Sequence, residues 1–395
     1  MAQRFNKLLL IKNNLRNKKY TTGDELANDI YSFINEFWRG SKYLVNEDLY
    51  NQDLTELSSF HYELLKHVSN IINTNDSSSN SKLINNEINC YKILHNAEHG
   101  VITNKIYILN KNYENIIIGD LHSDYNSLTR ALKVSDFYNK YISKQAINLV
   151  FVGDYVDRGH SHLQLVELLL ILQFLFAKNV FLLRGNHDGG VMHDDDSFTL
   201  TYRIPDKDEN EMYYSHYLLT LSRKNSTFNK QMIRSYLNFF NKLPYVALIL
   251  NADKVIMVVH AGIPRPKYFS EDIYEYINCL ADITNNDNVD FLGSVICNNL
   301  VWSDPRREGR ELRLGNRRFS YSQAEYESFK NKLNIDLLIR GHEAVEEGYR
   351  YHFNDTLITI FSSGGLYGNT INEQSNYHWV KPKVVKIKDG EVSFI

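Results

Sequence analysis

Five short apolar runs constrain this chain more than any other feature, because each stops at once in residues able to hold a metal ion. Ile116 to Ile118 is followed by Gly119-Asp120-Leu121-His122, and Ile147 to Val152 by Gly153-Asp154-Tyr155-Val156-Asp157-Arg158-Gly159. Val180 to Leu183 leads into Arg184-Gly185-Asn186-His187-Asp188, Val255 to Val259 into His260-Ala261-Gly262, and Leu337 to Ile339 into Arg340-Gly341-His342. Runs of this length without polar alternation predict strands buried on both faces. Open α/β sheets carry their ligand sites at the carboxyl ends of strands, so these five ends can converge on one locus. A further run at Ile106 to Leu109 and amphipathic helical stretches such as His162 to Phe176 complete an α/β plan. A closing hairpin, Lys383 to Lys388 with Glu391 to Phe394, turns at Asp389-Gly390.

The donor types set the chemistry. Asp, Asn and His offer oxygen and imidazole nitrogen but no thiolate, which suits manganese, iron or zinc. A carboxylate can bridge two ions, and two ions roughly 3.5–4 Å apart clamp a phosphoryl group and acidify a water. Glycines beside the donors permit tight turns and close backbone approach.

The first hundred or so residues read differently. Thr22-Gly23-Asp24-Glu25 is an acidic, cap-like start, and Leu26, Ile30, Phe33, Ile34 and Phe37 follow at helical spacing. A second helical stretch lies near Leu64 to Ile72, and the polar segment Asn73 to Ser81 reads as a flexible loop. The division predicted is a helical N-terminal extension over 1–104 and a catalytic domain over 105–395. The apolar faces of the extension predict packing against that domain, with a regulatory partner as the alternative.

Charge and cysteines narrow the setting. A formal net charge of −3 provides no global field for nucleic acid or anionic membrane. Cys90, Cys279 and Cys297 are odd in number and form no C-x-x-C pair, which argues against a disulfide framework and a zinc finger. No apolar run reaches membrane-span length, and Leu8 to Ile11 is too short for a signal-peptide core. A cytoplasmic location is expected, with secretion by a signal-independent route as the alternative.

Taken in order, these motifs resemble the phosphoprotein phosphatase family of metallophosphoesterases, whose pattern reads GDxHG, GDxVDRG and GNHE, then two metal-binding histidines. Phe151 to Gly159 (FVGDYVDRG), Phe181 to His187 (FLLRGNH) and Val301-Trp302-Ser303-Asp304-Pro305 follow the serine/threonine phosphatases almost letter for letter. The resemblance implies the family's metallophosphoesterase fold, a central β-sandwich flanked by helices. It implies two divalent metal ions, manganese first, with iron or zinc as alternatives. Asp120 and His122 would bind one ion, Asp154 would bridge, and Asn186, His260 and His342 would complete the other. His187 would be the general acid, Asp157 its carboxylate partner, and Arg158 a phosphate grip. A second phosphate-binding arginine is expected at Arg317, with Arg318 a close rival. The activity implied is hydrolysis of phosphoserine and phosphothreonine in a phosphoprotein substrate by direct attack of metal-bound hydroxide. Phosphotyrosine-protein phosphatase and dinucleoside polyphosphate hydrolase activities are the alternatives on the same core. The intact donor set argues against a non-catalytic binding module.

The departures are equally specific. Ser123 stands where the family has glycine, and Asp188 where it has glutamate. The family's S-A-P-N-Y-C-G becomes Ser362-Ser363-Gly364-Gly365-Leu366-Tyr367-Gly368, which predicts a looser loop beside the site. The stretch from Gly189 to Phe239 is longer than in compact family members. It carries His193-Asp194-Asp195-Asp196 and an acidic segment from Asp206 to Glu211.

Overall fold

The computed structural model describes residues 3–38, 51–73, 78–199, 214–267, 270–285, 296–306 and 319–395. Arg317, Arg318 and the segment from Asp206 to Glu211 lie outside the described residues. Helices α1 (Gln3–Arg16), α2 (Gly23–Trp38), α3 (Asn51–Asn73), α4 (Ser78–Ile84) and α5 (Cys90–Asn96) come first. The chain continues through β1 (Val101–Thr103), β2 (Ile106–Leu109), β3 (Glu114–Ile118), α6 (Tyr125–Val134) and α7 (Phe137–Ile142). Next are β4 (Ile147–Phe151), α8 (His162–Leu175), β5 (Val180–Leu182), β6 (Val191–Met192) and β7 (Phe198–Thr199). Helices α9 (Tyr214–Lys224) and α10 (Lys230–Lys242) precede β8 (Val246–Asn251), β9 (Lys254–Val259) and α11 (Ile296–Trp302). Then come β10 (Asp304–Pro305), β11 (Ser320–Tyr321), α12 (Gln323–Leu333), β12 (Leu337–Arg340), β13 (Tyr349–His352) and β14 (Leu357–Ile360). The last strands are β15 (Leu366–Tyr367), β16 (Thr370–Ile371), β17 (Val384–Lys388) and β18 (Glu391–Phe394).

Two sheets stack as a sandwich. One has seven strands in the order β1-β2-β8-β9-β12-β14-β13, the other five in the order β18-β17-β3-β4-β5. Burial of both faces explains why the apolar runs are nearly continuous, and the exception, Asn148, donates through Nδ2 to Asn115 Oδ1 at 2.9 Å. On β4, Val150 points into the layer between the sheets, while Ile147, Leu149 and Phe151 enter the helical layer outside. On β9, Ile256 and Val258 face inward, and Val255, Met257 and Val259 pack under the opposite helical layer. Within each sheet the chemistry-bearing strands run parallel, β3 with β4 with β5, and β9 with β12 with β14. Their carboxyl ends therefore lie at a common edge, and an isolated bridge between Asp120 and Phe361 ties one end to the other sheet.

The N-terminal helices are continuous with this core. Thr22 Oγ1 accepts from the Glu25 amide (3.2 Å) and Glu25 Oε2 accepts from the Thr21 amide (2.8 Å), which starts α2. Leu26, Ile30 and Ile34 of α2 and Leu57, Phe60 and Leu64 of α3 are fully buried in one cluster with α6, α8 and α10. Each such side chain contributes about 1.5–3 kcal/mol of burial free energy before entropy is subtracted. The predicted amphipathic character of His162 to Phe176 is corrected here: α8 is buried on essentially every face, because α1 and α3 cover the side that would otherwise meet water. Ser78 to Ser81, expected to be loop, forms the start of α4. Asn80 Oδ1 accepts from the Glu98 amide (2.9 Å) and Ile84 is fully buried, so tertiary anchors outweigh a polar composition. The expected boundary at 104/105 falls in the turn of the β1–β2 hairpin. No helix among the described residues is long and apolar enough to cross a membrane.

Candidate metal centre

The turns after the strands place their side chains through unusual backbone. His122, Asp154, Asp157, Arg158 and His342 all adopt positive φ, from 44° to 72°. Such conformations cost non-glycine residues about 1–3 kcal/mol each, so the surroundings must hold them. Asp188 does much of this. Its Oδ2 accepts from the amides of Asp154 and Gly185 (both 2.8 Å) and its Oδ1 from that of Tyr155 (3.0 Å). The short arm of this aspartate is thereby spent on shaping the Asp154 turn. Gly341 is demanded by proximity, since a Cβ there would lie 2.2 Å from Asp120 Oδ1.

Asp120, His122, Asp154, Asn186 and His260 are buried, and the His342 side chain is 4% exposed. Asp154 sits between two donor groups. Its Oδ2 is 3.6 Å from His122 Nε2, while its Oδ1 is 3.4 Å from His260 Nε2. His122 Nε2 is also 3.8 Å from Asp120 Oδ2. On the other side Asn186 Oδ1 lies 2.8 Å from His260 Nε2 and 2.9 Å from His342 Nδ1, with those two nitrogens 3.2 Å apart.

Neighbouring carbonyls decide which nitrogen of each ring faces inward. His122 Nδ1 donates to Val156 O and His260 Nδ1 to Val152 O, both at 3.1 Å. A carbonyl only accepts, so each Nε2 is left with its lone pair directed at the cluster. His342 presents Nδ1 instead, with Nε2 3.8 Å from Asp304 Oδ1, and Trp302 stands edge-on to its ring at 5.2 Å. Buried Arg340 holds Asp304 (2.8 Å) and Glu343 (2.8 Å) behind it. Lone pairs of His260, Asn186 and Asp154 therefore converge, while among the described residues Asn186 Nδ2 is buried without a partner. Burial also pushes the Asp120 carboxyl up to about 7 against the pull of His260. Converging oxygen and imidazole donors, with a carboxylate whose charged form burial penalises, fit a metal site.

His187 stands beside this cluster, its Nε2 4.0 Å from Asp154 Oδ2 and its ring edge-on to His122 at 4.9 Å. Its Nδ1 lies 2.8 Å from Asp157 Oδ2, and Arg158 Nη2 is 3.3 Å from its Nε2. Asp157 is itself fixed, accepting from the Tyr214 amide at 2.7 Å. By contrast His193 to Asp196 forms no part of this centre. Asp194 pairs with Arg234 (2.5 Å) and Asp196 with Lys230 (2.6 Å) in an exposed turn.

Three contributors escape a reading of the motifs. Asp124, which follows the Ser123 departure, is fully buried and caps α6 through the Ser127 amide (2.9 Å). It also accepts from Ser363 Oγ (3.0 Å), the Gly364 amide (3.1 Å) and Asn372 Nδ2 (2.8 Å). The glycine loop is consequently held tight, which corrects the expectation of a looser segment. A Cβ on Gly364 would lie 2.1 Å from Tyr377 O. Asp304 is present in the W-S-D-P motif, but its service to His342 is not. Tyr377 has no motif at all, yet it stacks on His122 at 5.6 Å.

These features define a calcineurin-like phosphoesterase: the family model of that description matches residues 116–346, more than half of the chain, and the chain belongs to that family. Its sandwich and centre make it a phosphoesterase hydrolase. Among solved structures, a protein serine/threonine phosphatase from Saccharomyces cerevisiae, described as similar to human phosphatase PP5, superposes with a TM-score of 0.54 at 15% identity, covering 93% of this chain and 94% of that one. At that identity the likeness shows the fold. A cold-active protein-tyrosine phosphatase of a psychrophilic Shewanella species aligns at 16% identity and TM-score 0.41, covering 72% of this chain and 80% of that one.

Proposed function

We propose that this chain is a metal-dependent protein serine/threonine phosphatase working on phosphoprotein substrates with two divalent ions, manganese the best match to mixed carboxylate and imidazole donors. The observation that carries this reading is Asp154, whose two oxygens face two separate donor groups, with the His187–Asp157 pair and Arg158 alongside. Asp120, His122, Asn186, His260 and His342, with Asp154 between them, are the residues that would hold the ions. Bound there, the ions would supply an acidified water and polarise the phosphoryl group.

The chain's own residues do the rest. Arg158 presents a planar fork to the phosphoryl oxygens. His187 gives the proton at Nε2 to the departing alkoxide, and Asp157 fixes Nδ1 and stabilises the imidazolium form. Arg317 is the proposed second phosphate contact. The extension is proposed to be a built-in cover for the catalytic unit, supported by the shared burial of α1 to α3 with α8. The W-S-D-P and FLLRGNH segments favour protein substrates.

The test is a comparison of phosphoserine, phosphothreonine and phosphotyrosine peptides with diadenosine tetraphosphate, using manganese-loaded enzyme. The highest kcat/KM is expected on the phosphoserine and phosphothreonine peptides. A preference for phosphotyrosine or for the dinucleotide would replace the proposed substrate class while leaving the metal centre in place. Failure to hydrolyse any of them, or a generic aryl phosphate, would sink the catalytic reading.

A further inference from the structure

The segment after β14 is where this chain departs furthest from its family pattern, and the structure shows what the departure accomplishes. Neither Leu366 nor Tyr367, in the substituted motif, comes over the metal centre; they are 55% and 53% exposed on the β15–β16 hairpin. The chain instead returns. Arg130 donates to Gly364 O and Leu366 O, both at 2.8 Å, and Gln374 Oε1 accepts from the Asn126 amide at 2.9 Å. Asn376 Nδ2 donates to Arg158 O. So anchored, the next residue lays its ring over the site. Tyr377 stacks on His122 with planes 26° apart, and Phe361 meets its ring at 4.7 Å and 68°.

The hydroxyl of Tyr377 accepts from Arg158 Nη1. A phenol has one proton of its own to donate, and among the described residues the Tyr377 O–H meets no acceptor. A donor beside the guanidinium, in a wall of the metal centre, is placed for an anion that the guanidinium also grips. We propose that Tyr377 is a further catalytic residue, donating its O–H to a phosphoryl oxygen held by Arg158 while its ring walls the site over His122. The ligand class is a phosphate monoester or the phosphate released from it. This rests on the phosphatase reading, and the experiment separates the two.

Tyr377→Phe removes the donor and keeps the stacked ring. With the manganese-loaded full chain, inorganic phosphate binding is measured by calorimetry, metal content by elemental analysis, and kcat/KM on a phosphopeptide. A hydrogen bond to a charged group predicts a loss of roughly 10- to 100-fold in phosphate affinity and in kcat/KM, with metal content unchanged. Tyr377→Leu, which also removes the ring, should lose at least as much. Equal phosphate affinity in wild type and Tyr377→Phe would overturn the assignment, as would an affinity loss that follows loss of metal. Should wild type bind phosphate but hydrolyse no phosphoester, the phosphatase reading fails, and the affinity comparison still decides for or against Tyr377.

Discussion

Among the described residues, two buried clusters of histidine and carboxylate are built on opposite principles. Beneath α8, Arg4 reaches Glu167 with two bonds (3.1 and 2.6 Å), His61 Nε2 meets Glu167 Oε2 at 2.7 Å, and Tyr236 closes the set at His61 Nδ1. Each of these four side chains has a partner within the set. At the sheet edge the donors instead gather around Asp154 and face one another, an arrangement that a bound cation would reconcile. A closed cluster joins four helices, α1, α3, α8 and α10, in one arrangement; an open one fits a metal ion. Burial and residue type alone do not distinguish them. The geometry of donors against acceptors does.

Breaking the open cluster should give the largest effect. Asp154→Asn is expected to abolish turnover and to empty the centre, because the proposed bridge would serve both groups of donors. Elemental analysis together with aryl phosphate hydrolysis checks this, and a variant that retains full metal would refute the bridging role. Thorough chelation of wild type should also remove activity, with manganese restoring it best.

His187→Asn comes next. Turnover on phosphoserine peptides should fall about 10²- to 10⁴-fold while metal content stays near normal. The defect should be smaller on an aryl phosphate, whose leaving group needs less protonation. Metal loss in this variant would move His187 from proton donor to ligand.

The closed cluster should respond through stability instead. Arg4→Met leaves Glu167 buried without its cation and should cost about 3–5 kcal/mol, read from urea unfolding of the chelated protein. Replacing the set together, Arg4→Met with Glu167→Leu and His61→Phe, should restore most of that loss, since well-packed apolar groups can substitute for a buried ion pair. If Arg4→Met alone is neutral, the cluster does not pin the extension.

The smallest effect expected is acid sensitivity. Burial works to raise the Glu167 carboxyl, but Arg4 and His61 outweigh it and leave it below its ordinary range. Burial draws the His61 imidazole below its ordinary range, against the pull of Glu167. The groups facing His61 are Arg4 from α1, Glu167 from α8 and Tyr236 from α10. Both shifted groups take up protons more readily when unfolded. Their contribution is therefore complete above about pH 6.5 and declines as pH falls, first through His61 and then, below about 4.3, through Glu167. Melting temperatures of chelated wild type and the triple apolar variant between neutral pH and about pH 4 provide the check. Identical slopes would show that the cluster does not titrate on unfolding.

Legibility followed the range of the interactions. The strands were readable because burial on both faces keeps most of each run apolar. The donors were readable because each sits within a few residues of a strand end, at spacings the turn geometry fixes. The closed cluster could not be read: Arg4, His61 and Glu167 are separated by up to 163 residues, and each alone is an ordinary helix residue. Asp304 lies in a recognisable motif, yet its place behind His342 depends on α11 and β10 carrying it there.

By itself, the sequence determined the sandwich strands, the candidate donors and the chemistry their atom types favour, since these follow from local pattern and covalent reach. Only the tertiary structure decided that α8 would be buried on all sides, that Asp124 would tie down the glycine loop, and that Tyr377 would stand over His122 and Arg158. Those outcomes depend on which surfaces meet after the chain has closed, and no local propensity encodes a partner more than a hundred residues away.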